Sequence, residues 1–467
     1  MNNNHIHFKY LIGDIFAAIL VWALFILFRK TINDISIINN IEFFVVKPKY
    51  YLTFFFFPFV SLFIHYITGF YVKADKNTRL TIFLSTVASS LLISLVVFMF
   101  FMLEDTRVSN NYYYVSLTSL FTIFFICTFI IRRYHFHQII KNFKTKKWAI
   151  NTIIIGNGAT AKRIASDLAK NSIKHNLIGF VAVDTLDGSI NKENLLGNAH
   201  QLEHIIKKNG VQEAIIALDN PDEQKLFAYI NTLYKFDVDI QFTARLYEIL
   251  TGSARIENIG MQPLVSLTDL HMSSWQIAVK RLIDIALSAC MLFILIPLFI
   301  YFAIAIKLDS KGPVFYMQER IGRFGKPFKI IKFRTMKENS ENGFPQLSSS
   351  TDERITRIGR TLRKYRIDEL PQFLNILRGD MSLVGPRPER KYFINQIIEI
   401  APYYCLIYKI RPGLTSWGPI KIGYSDSIDK MVERLNYDII YIENMSLIND
   451  LHIMLLTLEI VFKGKGV

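Results

Sequence analysis

Four apolar stretches crowd the front of the chain: Tyr10–Phe28, Tyr51–Val72, Leu80–Leu103 and Val115–Ile131. Each approaches the ~20 residues that cross a bilayer as a helix, and backbone in that medium must satisfy its own hydrogen bonds. Residues 1–147 are therefore expected to form an α-helical membrane bundle. No small-residue cleavage site follows Met1–Lys9, so the first stretch is read as a retained helix. Arg132, Arg133, Lys141, Lys144, Lys146 and Lys147 follow the fourth stretch, which puts that end on the cytoplasmic side and, with an even number of spans, the N-terminus too. The loops Lys73–Arg79 (basic) and Glu104–Tyr113 (Arg107 alone) agree; the first loop, with Arg29, Lys30, Lys47 and Lys49, opposes the assignment. No charge lies mid-span, which suits an anchor rather than a transport path.

From Asn151 the pattern becomes that of an α/β unit, expected over 148–273. Thr152–Gly156 reads as a buried strand, Gly156-Asn-Gly158-Ala-Thr-Ala161 as a tight turn and Ala161–Lys170 as a helix; a second strand, Leu177–Val183, ends at Asp184. Gln212–Leu218 and Val238–Phe242 continue the alternation, so the fold expected is a Rossmann-like parallel sheet. Gly156, Gly158 and Asp184 match a dinucleotide fingerprint. The same glycines equally serve a close strand–helix turn with no ligand, and both readings stand.

Charge and apolar content together narrow the partners. With 51% of residues hydrophobic, a net charge of +15 is concentrated on a small polar remainder and suits an anionic surface or phosphorylated substrates. No nucleic-acid motif accompanies it, so no nucleic-acid partner is expected. Cys127, Cys290 and Cys405 set neither a disulfide framework nor a zinc spacing.

The last part, 274–467, opens with a further apolar run, Ile285–Ile306, with Pro297 at its centre. A proline inside a helix removes a hydrogen bond and costs ~3 kcal/mol. Lys280 and Arg281 precede the run, and Lys307, Lys311, Arg320, Arg323, Lys326, Lys329, Lys332 and Arg334 follow it. Basic flanks at both ends favour a segment that enters and leaves by one face; a kinked spanning helix is the alternative. Gly322, Gly325 and Pro327 mark a turn, and Phe328–Phe333 alternates as a strand, with Lys329 and Ile331 on one side and Ile330 and Lys332 on the other. Glu338–Asp352 reads as a mobile connection, and Asp352–Arg366 as a helix lying in the membrane interface.

Asp368 and Glu369 then stand together behind Arg354, Arg357, Arg360, Arg363 and Arg366 and ahead of Gly385-Pro386-Arg387-Pro388. Pro371 suits a helix's first turn, Leu370, Phe373, Leu374 and Leu377 give it one buried face, and Gly379 ends it. Carboxylates at a helix N-terminus among guanidinium groups suit an anionic phosphate that they attack or whose metal they hold. Further on, Ile448, Leu451, Leu455, Leu458 and Phe462 stripe a packing or interfacial helix over Tyr437–Phe462.

Six ordered blocks carry a resemblance: Lys280-Arg-Leu-Ile-Asp284, Gln318-Glu-Arg-Ile-Gly322, Lys332-Phe-Arg-Thr-Met336, Asp368-Glu-Leu-Pro-Gln372, Gly379-Asp-Met-Ser-Leu-Val-Gly-Pro-Arg-Pro388 and Arg411-Pro-Gly-Leu-Thr-Ser-Trp417. Over Ser274–Gly464 the chain resembles the bacterial sugar transferases, the polyprenyl-phosphate glycosyl-1-phosphate transferases. The bundle and the Rossmann-like domain resemble their larger, polytopic branch. The resemblance implies a multi-pass protein of the bacterial inner membrane with its site on the cytoplasmic face. It implies transfer of a sugar-1-phosphate from a nucleotide diphospho-sugar to undecaprenyl phosphate, the opening step of capsule, exopolysaccharide or O-antigen synthesis. Asp368 would be the nucleophile and carry the phospho-sugar, Glu369 would help hold Mg²⁺ or steer the acceptor, and Lys332, Arg363 and Arg387 would contact phosphates. A re-entrant helix would cover about 277–308 with its break at Pro297, in a mainly helical, monotopic catalytic domain. Partners implied are the nucleotide-sugar donor, undecaprenyl phosphate, membrane lipids and a second copy in a homodimer. One block departs from the family pattern: Trp417 is followed by Gly418-Pro-Ile-Lys-Ile-Gly423, with Lys421 off the usual arginine spacing. No Tyr-x-x-x-Lys occurs, which argues against a membrane-bound nucleotide-sugar dehydratase, and the intact Asp368-Glu369 pair argues against a non-catalytic scaffold.

Overall fold

The computed structural model describes residues 2–32, 48–72, 74, 77–102, 110–171, 174–183, 192–219, 223–236, 238–243, 264–266, 272–337, 352–423 and 427–463. Contacts divide it into two compact units, 1–148 with 273–280, and 149–272 with 281–467.

Among its described residues the first unit holds the helices α1 (Asn2–Ile32), α2 (Pro48–Ile67), α3 (Arg79–Met102) and α4 (Asn110–Lys144). Ala18, Val21, Trp22, Phe25, Phe57, Ile93, Leu120 and Phe124 form its core, with Trp22 stacked on Phe57 at 5.0 Å. Among the described residues three helices are long and apolar enough to cross a membrane, over His5–Phe28, Arg79–Met99 and Tyr114–Lys144; the apolar part of α2, Phe54–Ile67, is shorter. Four spans were expected, and α2 as a whole runs for 20 residues. It ends just before the chain turns at Gly69, φ +77°, where a Cβ would lie 2.4 Å from the Trp275 nitrogen. That close approach excludes any side chain.

A second difference concerns charge. Asp14, inside the first apolar stretch, is buried and pairs with Arg132 through both oxygens at 2.8 Å. Tyr71 donates to Asp14 at 2.6 Å, Thr86 accepts from Arg132 at 3.1 Å, and the guanidinium lies 3.7 Å from the Phe70 ring centre. Arg132, read from sequence as a flanking cytoplasmic charge, is turned inward and fully buried.

In the second unit, β1 (Ile150–Ile155), α5 (Ala159–Asn171), β2 (His175–Ala182), β3 (Leu195–Asn198), α6 (Leu202–Asn209), β4 (Glu213–Ile216), α7 (Glu223–Tyr234), β5 (Asp239–Thr243) and β6 (Leu264–Ser266) build a six-stranded sheet of order β3-β2-β1-β4-β5-β6. β1 to β5 are parallel, as a strand–helix alternation dictates, and the three-residue β6 is antiparallel. The edge strands β3 and β6 were not foreseen; each is too short to show a period. Asp184 lies outside the described residues.

α8 (Ser274–Ile294) and α9 (Ile296–Asp309) meet at a bend of 61°. Pro297 sits in the first turn of α9, where its missing N–H removes no bond. β7 (Phe315–Ile321) and β8 (Pro327–Phe333) form an antiparallel hairpin. Both Ile330 and Ile331 are buried, so β8 is covered on its two faces rather than one. The connection expected over Glu338–Asp352 lies outside the described residues up to residue 351. The helix expected over Asp352–Arg366 is shorter: α10 (Arg357–Lys364) starts at the Thr356 cap, because Ile355 is bridged to Met336. Ile306, Phe333 and Leu362 pack together, joining α9, β8 and α10.

A 3₁₀ turn over Ile367–Gln372 leads into α11 (Phe373–Arg378), β9 (Ser382–Val384), α12 (Lys391–Ile400) and β10 (Gly413–Thr415), which pairs parallel with β9. α13 (Trp417–Ile422), α14 (Ile428–Glu443) and α15 (Leu447–Phe462) follow. The helix expected over Tyr437–Phe462 is two helices, parted before the Ser446 cap of α15. Its apolar stripe faces outward, with Ile448 and Phe462 82% and 83% exposed.

Candidate active site

Asp368 and Glu369 lie in the 3₁₀ turn, not at the start of the following helix. Arg366, in the left-handed region at φ +53°, breaks α10 from that turn. The tighter 3₁₀ winding shifts the helical phase. Phe373, Asn375 and Ile376 are therefore the buried residues of α11, whereas Leu374 is exposed. With six residues in α11, the local positive field comes from side chains more than from a helix dipole.

Those side chains converge on Glu369. Lys332 Nζ on β8 and an Arg387 guanidinium nitrogen reach its Oε1 at 2.9 and 3.1 Å, and Arg366 reaches its Oε2 at 3.6 Å. The three cations hold the Glu369 carboxyl well below its ordinary range despite burial. Asp368 is treated oppositely. None of the described residues donates a hydrogen bond to it, and burial beside the Glu369 charge lifts its carboxyl to about 6, against the pull of Lys332, Arg363 and Arg387. Arg363 is aimed by its Nε–H, which donates to Thr335 Oγ1 at 3.0 Å.

The elements around the turn are pinned by side chains from the sequence blocks. In Lys332-Phe-Arg-Thr-Met336, Lys332 serves Glu369 and Phe333 enters the core, while Arg334 donates to the carbonyls of Ser310 (2.7 Å) and Lys311 (2.6 Å) at the end of α9. α10 crosses so close to Thr335 that a Cβ on Gly359 would lie 2.2 Å from its carbonyl oxygen. Buried Asn375 accepts from Ile331 N–H at 3.0 Å and donates to the Lys329 carbonyl at 2.8 Å, fastening α11 to β8. Arg281 caps the last carbonyls of α11, at Ile376 (2.8 Å) and Leu377 (3.2 Å), and Asp284 receives Ser382 Oγ–H and Leu383 N–H at 2.8 and 3.0 Å.

The structure thus brings Lys332, Arg363, Asp368, Glu369 and Arg387 together. Sequence reasoning did not assign roles to Arg366, Thr335 and Asn375. Arg366 stood in the arginine run without distinction, and neither neutral residue carries a signal of its own. In the divergent block, Lys421 lies over the Trp417 ring at 5.4 Å, and Gly418 leaves room for Arg434, whose Cγ a Cβ there would meet at 2.0 Å.

The glycine turn of the middle domain is built as expected but filled from within. A Cβ on Gly156 would lie 2.1 Å from the Ala217 oxygen, so the turn hugs β4. A Cβ on Gly158 would lie 1.6 Å from Asp219 Oδ2. Asp219 Oδ1 accepts from Thr160 N–H at 3.1 Å and from the Thr160 hydroxyl. A carboxylate of the chain itself occupies the start of α5, where a dinucleotide's pyrophosphate would bind.

Comparison with known proteins places these features. A family profile described as bacterial sugar transferase matches residues 275–464, and one described as CoA-binding domain matches 65–244. The chain is 37% identical over 229 residues to a UDP-N-acetylgalactosamine-undecaprenyl-phosphate N-acetylgalactosaminephosphotransferase of Aeromonas hydrophila, covering 49% of this chain and 53% of that one. It is 42% identical over 180 residues to a UDP-glucose:undecaprenyl-phosphate glucose-1-phosphate transferase of Caulobacter vibrioides, covering 38% of this chain and 67% of the relative. Against a putative undecaprenyl-phosphate N-acetylgalactosaminyl 1-phosphate transferase of Bacillus subtilis, identity is 44% over 133 residues, 28% of this chain and 74% of that one. The chain thus spans about half the length of the Aeromonas relative.

At the Gly156–Thr160 turn the exposed Asp219 side chain stands where the diphosphate of CoA or a dinucleotide would lie, and such a ligand would have to displace it. Among the described residues no group of three or more His, Cys, Asp or Glu gathers. Mg²⁺ usually takes one or two carboxylates and completes its shell with substrate phosphate and water, which the Asp368-Glu369 pair does fit. Six ordered sequence blocks include a carboxylate pair, Glu369 buried and Asp368 half-buried, and relatives match over two thirds or more of their own length. The chain therefore belongs to the bacterial sugar transferase family.

Proposed function

We propose that the chain transfers a sugar-1-phosphate from a UDP-sugar to undecaprenyl phosphate at the cytoplasmic face of the bacterial inner membrane, the opening step of a surface-polysaccharide repeat unit. The observation that carries this reading is the unequal treatment of two adjacent carboxylates. Glu369 is an anionic hub that orders Lys332, Arg366 and Arg387. Asp368 is the carboxylate to which none of the described residues donates a hydrogen bond, beside cations able to receive a diphosphate. Its oxygen attacks the donor's β-phosphorus; that bond forms as the bond to the oxygen bridging the two phosphates breaks, and UMP leaves. The undecaprenyl phosphate oxygen then attacks the same phosphorus and releases the Asp368 carboxylate. Splitting one transfer into two steps lets a single site serve a soluble donor and then a lipid acceptor.

Lys332, Arg363 and Arg387 would neutralise the diphosphate that a carboxylate must approach. Mg²⁺, held by Asp368 and Glu369, would supply further charge neutralisation on the phosphate oxygens. The bent pair α8–α9 would be re-entrant, with Phe293 and Leu308, 77% and 82% exposed, in lipid, and the stripe of α15 would lie in the membrane interface. Both would hold the site at headgroup depth.

The test is retention of label from UDP-glucose and UDP-N-acetylgalactosamine labelled at the β-phosphate, in nanodiscs with Mg²⁺ and no acceptor. Wild type retains label and releases UMP, and Asp368→Asn does neither. Lipid product formed without retained label would sink the covalent role of Asp368.

A further inference from the structure

Arg387 sits between Pro386 and Pro388, so in Pro-Arg-Pro it carries the one backbone N–H. That N–H donates to Asp438 Oδ2 at 3.2 Å. Asp438 lies on α14, outside all the sequence blocks, and is 3% exposed. Among the described residues the Arg387 N–H is the donor that Asp438 accepts from, and its Oδ1 is buried without a hydrogen-bond partner. Burial alone would favour an apolar residue here; a buried carboxylate persists at a cost unless its bonds hold something in place. What they hold is a turn whose flexibility two proline rings already restrict and whose guanidinium reaches Glu369 at 3.1 Å.

We infer that Asp438 is a positioning residue for the transfer: it anchors the Arg387 backbone so that the guanidinium stays on Glu369 and the donor's phosphates. The inference rests on the phosphate-binding reading of Arg387 given above.

The experiment measures UMP release from UDP-glucose and UDP-N-acetylgalactosamine, with undecaprenyl phosphate, in nanodiscs. Variants are Asp438→Ala, Asp438→Leu, Asp438→Asn, Arg387→Ala and the double Asp438→Ala/Arg387→Ala. Loss of the anchor raises donor KM roughly tenfold, about the effect of one charge-assisted hydrogen bond, with a smaller change in kcat. The double variant is no worse than Arg387→Ala, because both changes remove the same contact. Asp438→Asn, which keeps an acceptor for the Arg387 N–H, recovers most of the affinity, and Asp438→Leu does not. If Asp438→Ala fails to fold, the contrast between Asn and Leu decides. Equal donor KM in Asn and Leu variants, or effects that multiply in the double, overturns the inference alone. Arg387→Ala with wild-type turnover overturns the phosphate-site reading, and this inference with it.

Discussion

Asp368 and Glu369 are consecutive residues of one 3₁₀ turn, yet Glu369 is clasped by Lys332, Arg366 and Arg387 while no described residue donates a hydrogen bond to Asp368. A backbone that turns this tightly points neighbouring side chains in different directions. One carboxylate thereby becomes part of the protein's fixed charge, and the other is the nucleophile of the proposed reaction.

Glu369→Gln leaves three cations around an uncharged amide. Turnover is expected to fall by roughly 10²–10³-fold, since the groups that meet the developing phosphate charge lose their alignment. Glu369→Asp shortens the reach to Lys332 and loses less. Steady-state UMP release checks both, and wild-type turnover in Glu369→Gln would refute the hub role.

The pH dependence follows from Asp368. Its carboxyl is raised to about 6, and only the ionised form is a nucleophile. Below that value each pH unit removes about tenfold of the reactive form, so label retention falls as pH drops through it and is flat above. Glu369, held well below the ordinary carboxylate range, stays ionised over the same window and adds no inflection. Single-turnover label retention across a pH series measures this; a profile flat through 6 would contradict it.

The middle domain should not bind CoA or a dinucleotide at its glycine turn, because Asp219 already caps α5. Isothermal titration of the full chain with CoA, NAD and UDP-glucose reads out that turn in Asp219→Asn against wild type. Asp219→Ala removes the cap and costs about 1 kcal/mol of domain stability. CoA binding to the wild-type turn, lost on Gly158→Val, would overturn the self-capped assignment.

In the membrane bundle, Asp14→Ala or Arg132→Ala strands a buried charge, which costs about 3–5 kcal/mol. The paired replacement Asp14→Leu/Arg132→Met removes both charges and is expected to recover most of that loss. Thermal unfolding in nanodiscs compares the three. A double variant as unstable as either single would show that the pair does more than satisfy itself.

The helices, the parallel sheet and the carboxylate site were legible because each rests on a repeating or ordered local pattern. Apolar length announced α1, α3 and α4, and the alternation from Asn151 announced β1, β2, β4 and β5. What escaped depends on contacts between distant residues. Gly69 turns the chain just after α2 in a close approach to Trp275, far along the chain. Arg132 looks like any flanking cation until Asp14 is placed opposite it. Asp219, just past the strand expected over Gln212–Leu218, carries no signal of its own until its carboxylate meets Thr160. The site's cations were legible as a charged cluster, but which carboxylate they neutralise was not, because a 3₁₀ turn and an α-helix start share the same sequence cues.

The Asp14–Arg132 pair also sets a condition on how the protein is made. The two residues are 118 positions apart. At ~5–20 residues per second, Arg132 is synthesised roughly 6–24 s after Asp14. Through that interval the Asp14 carboxylate on α1 lacks the guanidinium that it pairs with in the folded bundle. The contacts that bury Asp14 in the folded bundle can therefore close only once α4 is present, and the last helix of the bundle secures the first.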